Sequence, residues 1–210
     1  MKKAGDMWIL DSDPFIGAYF SKSGDQFEID HLNQALIFVK NFRCAIDGGA
    51  HYGSWSRYLA KKFNRVISFE PNLKTFECAK LNLIHLPNVD LRQEAIGERI
   101  DKVLVGRGKM YSHPGMETII GIGDIPLVTI DSLNLDCLDF LKLDLEGYEY
   151  HALSGAVDTL VRYKPIVIFE ENVRGKLEHN IEMGRCGNLL NSLGAKFLKR
   201  MGSDYVYGWN

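Results

Sequence analysis

The residues with the clearest chemical potential lie in two short stretches. Asp47-Gly48-Gly49-Ala50-His51-Tyr52-Gly53 follows the apolar run Cys44-Ala45-Ile46, and Glu70 stands 23 residues after Asp47 in Phe69-Glu70-Pro71-Asn72. Glycines let a backbone approach a ligand closely, and Gly53 opens the next helical stretch. A carboxylate about 20 residues beyond such a loop can accept from two ribose hydroxyls. The spacing Gly48-x-Ala50-x-x-Gly53 also resembles a dinucleotide fingerprint, so an NAD-dependent oxidoreductase stays open. Asp47 separates the two ligands by charge. A carboxylate at the strand end repels a pyrophosphate but suits a ligand bearing an ammonium and a sulfonium. S-adenosylmethionine carries both and has no phosphate. The plainer alternatives are a turn residue at position 47 and a helix cap at position 70, with Pro71 setting the exit direction.

A second set could handle a proton. Lys142, Asp144 and Glu146 alternate along the chain, and side chains two apart share a face of a strand. They would gather over the ligand if the strand continues that far. Methyl transfer to an alcohol needs the hydroxyl proton removed as the new bond forms. Asp144, Glu146, Glu170 and Glu171 are the acidic candidates, with Lys142 beside them; an ordinary salt bridge from Lys142 to Glu146 or Glu149 is the alternative. Asp144, Glu171 and Asn172 supply oxygen ligands suited to Mg²⁺. His113, in Tyr111-Ser112-His113-Pro114-Gly115-Met116, reads as a loop histidine over the site, a base or acceptor contact. Trp8, Tyr19, Phe20 and Tyr111 are candidates for an acceptor pocket, and Tyr205, Tyr207 and Trp209 for packing the last strand on a helix. His31, His85, His151 and His179 have no evident partner in the sequence.

These residues need a scaffold, and the hydrophobic pattern supplies one. Residues 1–30 read as irregular or partly strand-like, and apolar positions recur at helical spacing over 30–42. Strands are expected at 44–46, 65–69, 89–96, 125–130, 138–143 and 166–169. Helices are expected at 54–63, 74–84, 149–161 and 188–193. Residues 97–130 are otherwise read as hairpin and loop, and 170–184 as variable. Short apolar strands alternating with helices imply a mainly parallel sheet covered on both faces. Strands at 195–199 and 204–207 are too close for a crossover helix, so they form an antiparallel hairpin. The expected organisation is a leading segment and helix over 1–42, then an S-adenosylmethionine-binding domain over 43–210, in one domain overall.

Six stretches, taken together, resemble a known family. They are Asp47-Gly-Gly-Ala-His-Tyr-Gly, Phe69-Glu-Pro-Asn, Glu94-Ala-Ile-Gly, Thr129-Ile-Asp-Ser-Leu, Leu141-Lys-Leu-Asp-Leu-Glu-Gly-Tyr-Glu and Lys164-Pro-Ile-Val-Ile-Phe-Glu. In this order they resemble the FkbM-type methyltransferases, class I enzymes that use S-adenosylmethionine, mostly on hydroxyls of sugars or secondary metabolites. The resemblance implies a Rossmann-like, mainly parallel seven-stranded sheet with a C-terminal antiparallel strand. It implies that Asp47, Gly49, Ala50 and Gly53 surround the methionine half of the cofactor, with His51 and Tyr52 in the same loop. Glu70 would hold the ribose, Pro71 and Asn72 would border the adenine, and Glu94 and Ala95 would meet its amino group. Asp144 would lie near the sulfonium and the ammonium. Position 51 is His where the family commonly has Asn. The likeness runs over residues 42–171, which leaves acceptor specificity to the flanking parts.

Bulk properties narrow the partners. The 210 residues carry 25 Lys and Arg against 27 Asp and Glu, a net charge of -2, so no nucleic-acid footprint is expected. The Asn/Asp-Pro-Pro-Tyr-type motif of amino-methylating enzymes is absent. The four cysteines, at 44, 78, 137 and 186, show no zinc spacing and read as reduced structural thiols. The apolar run 7–10 is too short for a signal peptide or span, so a cytoplasmic protein with a small-molecule or glycan acceptor is expected. A homodimer is compatible with this reading, as is a cofactor-binding module without turnover.

Overall fold

The computed structural model describes residues 1–23, 29–109 and 117–209. The chain opens with an antiparallel pair, β1 (Lys2–Ala4) and β2 (Met7–Ile9), followed by helices α1 (Pro14–Ser23) and α2 (Ile29–Leu36). It then alternates through β3 (Cys44–Gly48), α3 (Ser54–Leu59), β4 (Arg65–Phe69), α4 (Leu73–Leu83) and β5 (Val89–Arg92). Next come β6 (Ala95–Ile96), β7 (Asp101–Gly106), β8 (Thr118–Ile122), β9 (Ile125–Val128) and β10 (Phe140–Leu143). The remainder is α5 (Glu149–Ser154), α6 (Val157–Tyr163), β11 (Ile166–Glu170), α7 (Val173–His179), α8 (Arg185–Ser192), β12 (Lys196–Met201) and β13 (Asp204–Gly208).

The main sheet has seven strands in the order β12-β13-β11-β10-β3-β4-β5. Its central strands are parallel, and β13 runs antiparallel to both neighbours. Strands covered on both faces need apolar side chains at consecutive positions, and all of β3 and β10 is buried. One core cluster, including Ile46, Leu141, Val167 and Leu190, fills the α8 side, and another, including Leu32, Trp55 and Val66, fills the α2 and α3 side. Leu32, Ala35 and Leu36 of α2 are buried, as the helical spacing predicts, but the helix ends at Leu36 and not near 42. Among the described residues, no helix is long and apolar enough to cross a membrane.

Several expectations shift. Residues 14–23 form a helix where irregular chain is expected. The stretch 89–96 divides: β5 joins the main sheet, whereas β6 pairs with β9 in a second sheet of order β6-β9-β7-β8. Within 97–130, three strands form where one is expected. Exposed residues and the glycines at 106, 121 and 123 mask their alternation. The helix expected over 149–161 breaks at Gly155, where a Cβ would sit 2.0 Å from the Gly97 carbonyl oxygen. The second sheet presses on the chain there.

Candidate active site

A cleft of about 280 Å³ runs along the C-terminal ends of the parallel strands, where open α/β sheets place their ligands. Strand order sets its layout. Glu94 and Glu70 lie past β5 and β4, the Gly49 loop past β3, Asp144 past β10, and Glu170 at the end of β11. Because β13 is antiparallel, it brings its first residue to this same edge, with Asp204 opposite Glu170.

The first loop is held by its own backbone. The amides of Gly49 and Ala50 both donate to the Phe69 carbonyl, at 3.0 and 2.9 Å, and the Gly53 amide donates to the Ala50 carbonyl at 2.7 Å. The His51 amide donates to Glu70 Oε2 at 2.7 Å. Gly49 has φ +78°, and a Cβ there would lie 1.9 Å from the Asp144 carbonyl oxygen. Only glycine lets these two loops meet.

Asp47 is not at the cleft surface. It is fully buried, accepts from Ser56 Oγ at 2.6 Å, and has Lys142 Nζ 3.0 Å from Oδ1. An isolated carboxylate would be costly there, and Lys142, opposite it in register, supplies the counter-charge. Lys142 also donates to the Gly49 carbonyl at 2.6 Å and lies 3.9 Å from Asp144. Asp47 is thus an ion-pair partner of Lys142, buried with it. Tyr52 also lies behind the cleft wall, donating to Asp13 at 3.0 Å, and Gly53 packs against Leu83.

Gly49, Ala50, His51, Glu70, Pro71, Asn72, Glu94 and Ala95 do line the cleft. Glu70 is buried, with three donors: the His51 amide, the Asn72 amide at 3.0 Å and Thr75 Oγ1 at 2.7 Å. Burial nevertheless pushes it up to about 7. Asn72 caps α4 through the Lys74 amide and donates to Glu117 Oε2 at 2.5 Å, closing this end with a residue from β8's threshold. His51 adopts φ +52°, a left-handed conformation for which Asn and His are both suited. That explains how His fills a position where Asn is common. Burial, and then Lys142, push its imidazole down to about 3, so it is neutral. Among the described residues, buried His51 Nε2 and Glu94 Oε2 have no hydrogen-bond partner.

At the other end, Asp144, Glu146 and Lys142 line the cleft together. The Mg²⁺ set does not assemble. Glu170, not Glu171, faces the cleft, holding Ser203 Oγ at 3.0 Å and Asn172 Nδ2 at 2.7 Å. Glu171 turns toward Cys186, whose thiol burial, then Glu149 and Glu171, push up. Among the described residues no group of three or more His, Cys, Asp or Glu is arranged to hold a metal. His113 and Tyr111 fall outside the described residues. Trp8, Tyr19 and Phe20 do not line the cleft, whereas Ile16 and Trp55 do. Tyr207 packs on Gly187 of α8, as expected of the last strand.

Several cleft residues were missed from sequence. His31 and Asp204 pair at 2.7 Å, Thr118 meets His179 at 2.8 Å, and Tyr148 lines the wall beside them. The hairpin already implied that position 204 returns to the strand tips; no sequence signal placed His31 or Glu117.

The match to known proteins follows this geometry. Residues 47–183 match the methyltransferase FkbM domain model. The chain belongs to the FkbM methyltransferase family. Among solved structures, this FkbM domain resembles an FkbM methyltransferase from Methylobacillus flagellatus, with TM-score 0.54 and 18% identity over 80% of this chain. It covers only 43% of that protein's length. A Streptococcus mutans protein solved in complex with S-adenosylhomocysteine aligns with TM-score 0.52 and 12% identity, covering 86% of this chain and 95% of that one. A precorrin-6Y C5,15-methyltransferase from Geobacter metallireducens gives 0.50 and 12%, covering 87% and 89%. At these identities the likeness is one of fold, that of the class I methyltransferases. No curated protein matches the FkbM domain in sequence.

Proposed function

We propose that this FkbM domain transfers the methyl group of S-adenosylmethionine to a hydroxyl of a sugar or small metabolite. The observation that carries the choice of cofactor is the first loop's hydrogen bonding. A pyrophosphate at such a loop is held by free backbone amides and a helix N-terminus. Here the amides at 49, 50, 51 and 53 are all donated within the protein. The nearest cation, Lys142, is engaged by Asp47 and the Gly49 carbonyl. Those four amides and that ammonium are therefore already engaged, while Asp144 and Glu146 give the adjoining tip a negative charge that suits a cationic ligand and not a phosphate.

The residues fit a nucleoside without phosphate. Glu70 would take the ribose; an ionised carboxylate has about four lone-pair sites, and three are filled, so one hydroxyl is its natural complement. Glu94 Oε2, 4.0 Å from Arg92 Nη1 and without a hydrogen-bond donor, would accept from an adenine amino group, and His51 Nε2 is an unfilled polar atom for the methionine portion. Pro71, Asn72 and Ala95 would border the base. Asp47, Tyr52 and Gly53 act one layer behind, fixing the loop. When bound, the cofactor supplies a methyl carbon already activated by its sulfonium. The protein's task is to align an acceptor oxygen, exclude water and remove a proton. Asp144 and Glu146 sit where the cationic centre and the acceptor would meet.

Calorimetry on the purified protein tests the reading. S-adenosylmethionine and S-adenosylhomocysteine should bind and NAD⁺ should not. Binding of NAD⁺ alone, or silence with both adenosyl ligands, ends the proposal. Incubation with methyl-labelled cofactor and a panel of sugars and phenols would then identify the acceptor.

A further inference from the structure

His31 and Asp204 come from opposite ends of the chain, yet they meet at 2.7 Å on the wall of the same cleft. The pair sits past β11 and β13, at the far end from Glu70, with β3 and β10 between. At about 4.8 Å per strand, Asp204 lies roughly 19 Å from the Glu70 tip. With the ribose at Glu70 and the methionine portion along the Gly49 loop, as proposed above, the sulfur would lie toward the β3 and β10 tips. The acceptor must then approach from the β11 and β13 side, where this pair waits.

We propose that His31 is the general base for methyl transfer, with Asp204 as its positioning residue; the inference rests on the methyl-transfer reading above. Asp204 Oδ2 engages His31 Nδ1, which fixes the ring and directs Nε2's lone pair outward, the logic by which a carboxylate orients a catalytic imidazole. Among the described residues nothing bonds Nε2, and the ring remains about one-third exposed. The other groups at this end are less suited. Asp144 already faces the Lys142 ammonium at 3.9 Å. Glu170 already accepts from Ser203 and Asn172. In the step itself, the acceptor oxygen forms its bond to the methyl carbon as the carbon–sulfur bond breaks. That electron pair goes to sulfur, leaving a neutral thioether, and the hydroxyl proton goes to His31 Nε2. The imidazolium, stabilised by Asp204, later releases the proton to water.

A crystal structure with sinefungin, an analogue whose amine stands in the methyl's place, tests the geometry without an acceptor. An acceptor oxygen needs about 3–3.5 Å to the carbon and about 2.6–3.2 Å to the base. His31 Nε2 should therefore lie about 6 Å from that amine, or about 9 Å with one bridging water, on the side away from the backbone of the analogue. A longer separation, or His31 on the opposite side, overturns the assignment while leaving the cofactor reading intact. Failure of sinefungin and S-adenosylhomocysteine to bind at all sinks that reading, and this inference with it. His31→Gln and Asp204→Asn should keep S-adenosylhomocysteine affinity within about twofold by calorimetry. With a labelled acceptor, His31→Gln should lower kcat about 10²–10⁴-fold. An unchanged kcat overturns the proposal.

Discussion

Glu70 and Asp144 are carboxylates on one cleft, separated by the β3 tip, and the protein treats them in opposite ways. Glu70 is buried and clamped by three donors, Asn72 and Thr75 of its own strand–loop–helix unit and His51 of the loop after β3. Asp144 has 41% of its side chain exposed and one long contact to Lys142. One end of the cleft is thus preorganised before any ligand arrives, and the other is kept open to solvent. A nucleoside is the same molecule in every turnover, so a rigid socket suits it. An acceptor must enter and leave, and its end is built from residues drawn from α2, β11, β13 and the loop after β10. Binding energy is expected to concentrate at the first end and rate at the second.

The harshest way to break that contrast is to part the two ends at their junction. Gly49→Ala forces a Cβ to within 1.9 Å of the Asp144 carbonyl at φ +78°, so both loops must move. The expected cost is about 3 kcal/mol or more, roughly 6–12 °C in Tm, with S-adenosylhomocysteine binding lost. Thermal unfolding and calorimetry would read both. Next in size, Glu70→Ala should weaken S-adenosylhomocysteine at least about a hundredfold, since it removes a charge-assisted bond and unlatches the His51 and Asn72 amides. Asp144→Asn should cost that ligand no more than about tenfold while reducing turnover further. Equal losses of affinity in the two variants would erase the distinction between socket and mouth.

The same contrast predicts a pH dependence of binding. Burial holds Glu70 up to about 7, so below that pH the unliganded protein carries it protonated and its acceptor capacity is reduced. Affinity for S-adenosylhomocysteine should rise about tenfold between pH 6 and pH 8, as the ionised fraction grows. Glu70→Gln should flatten the rise. A slope that survives this substitution points to another titrating group.

Much of the scaffold was legible because it rests on local rules. The buried strands at 44, 65, 140 and 166 read as apolar runs, and the closing hairpin followed from its short connection. Glu70, Glu94 and the Gly49 loop reached the cleft because their places at strand ends are set by sequence order. The misreadings came where distant chain decides. Asp47 looked like a surface carboxylate, but residue 142 arrives from a strand nearly a hundred positions later and neutralises it from below. The case against phosphate therefore stands on four engaged loop amides and on Asp144 and Glu146, and no residue type reveals the first of these. The second sheet was hidden by glycines and exposed apolar side chains. His31 and Asp204 are 173 positions apart, a separation no periodicity bridges.

The smallest effect expected concerns the hinge beneath the open end. Glu149, buried at the start of α5, accepts the Leu145 amide at 2.7 Å and the Gly147 amide at 3.2 Å through Oε1, and so ties down the Asp144 loop, where Glu146 adopts φ +56°. Burial, with nearby Asp144 adding to it, pushes Glu149 up to about 8. Its folded-state value thus lies above its unfolded one, near 4.5. The stability this confers is complete below pH 4.5 and is lost as pH rises through about 8. Glu149→Gln keeps an oxygen for both amides and carries no charge at any pH. Its Tm should match the parent's near pH 5 and exceed it by a few degrees at pH 8.5, with affinity for S-adenosylhomocysteine unchanged. A loss of Tm at both pH values would mean that the carboxylate is needed ionised, so that charge, not shape, holds the acceptor end in place.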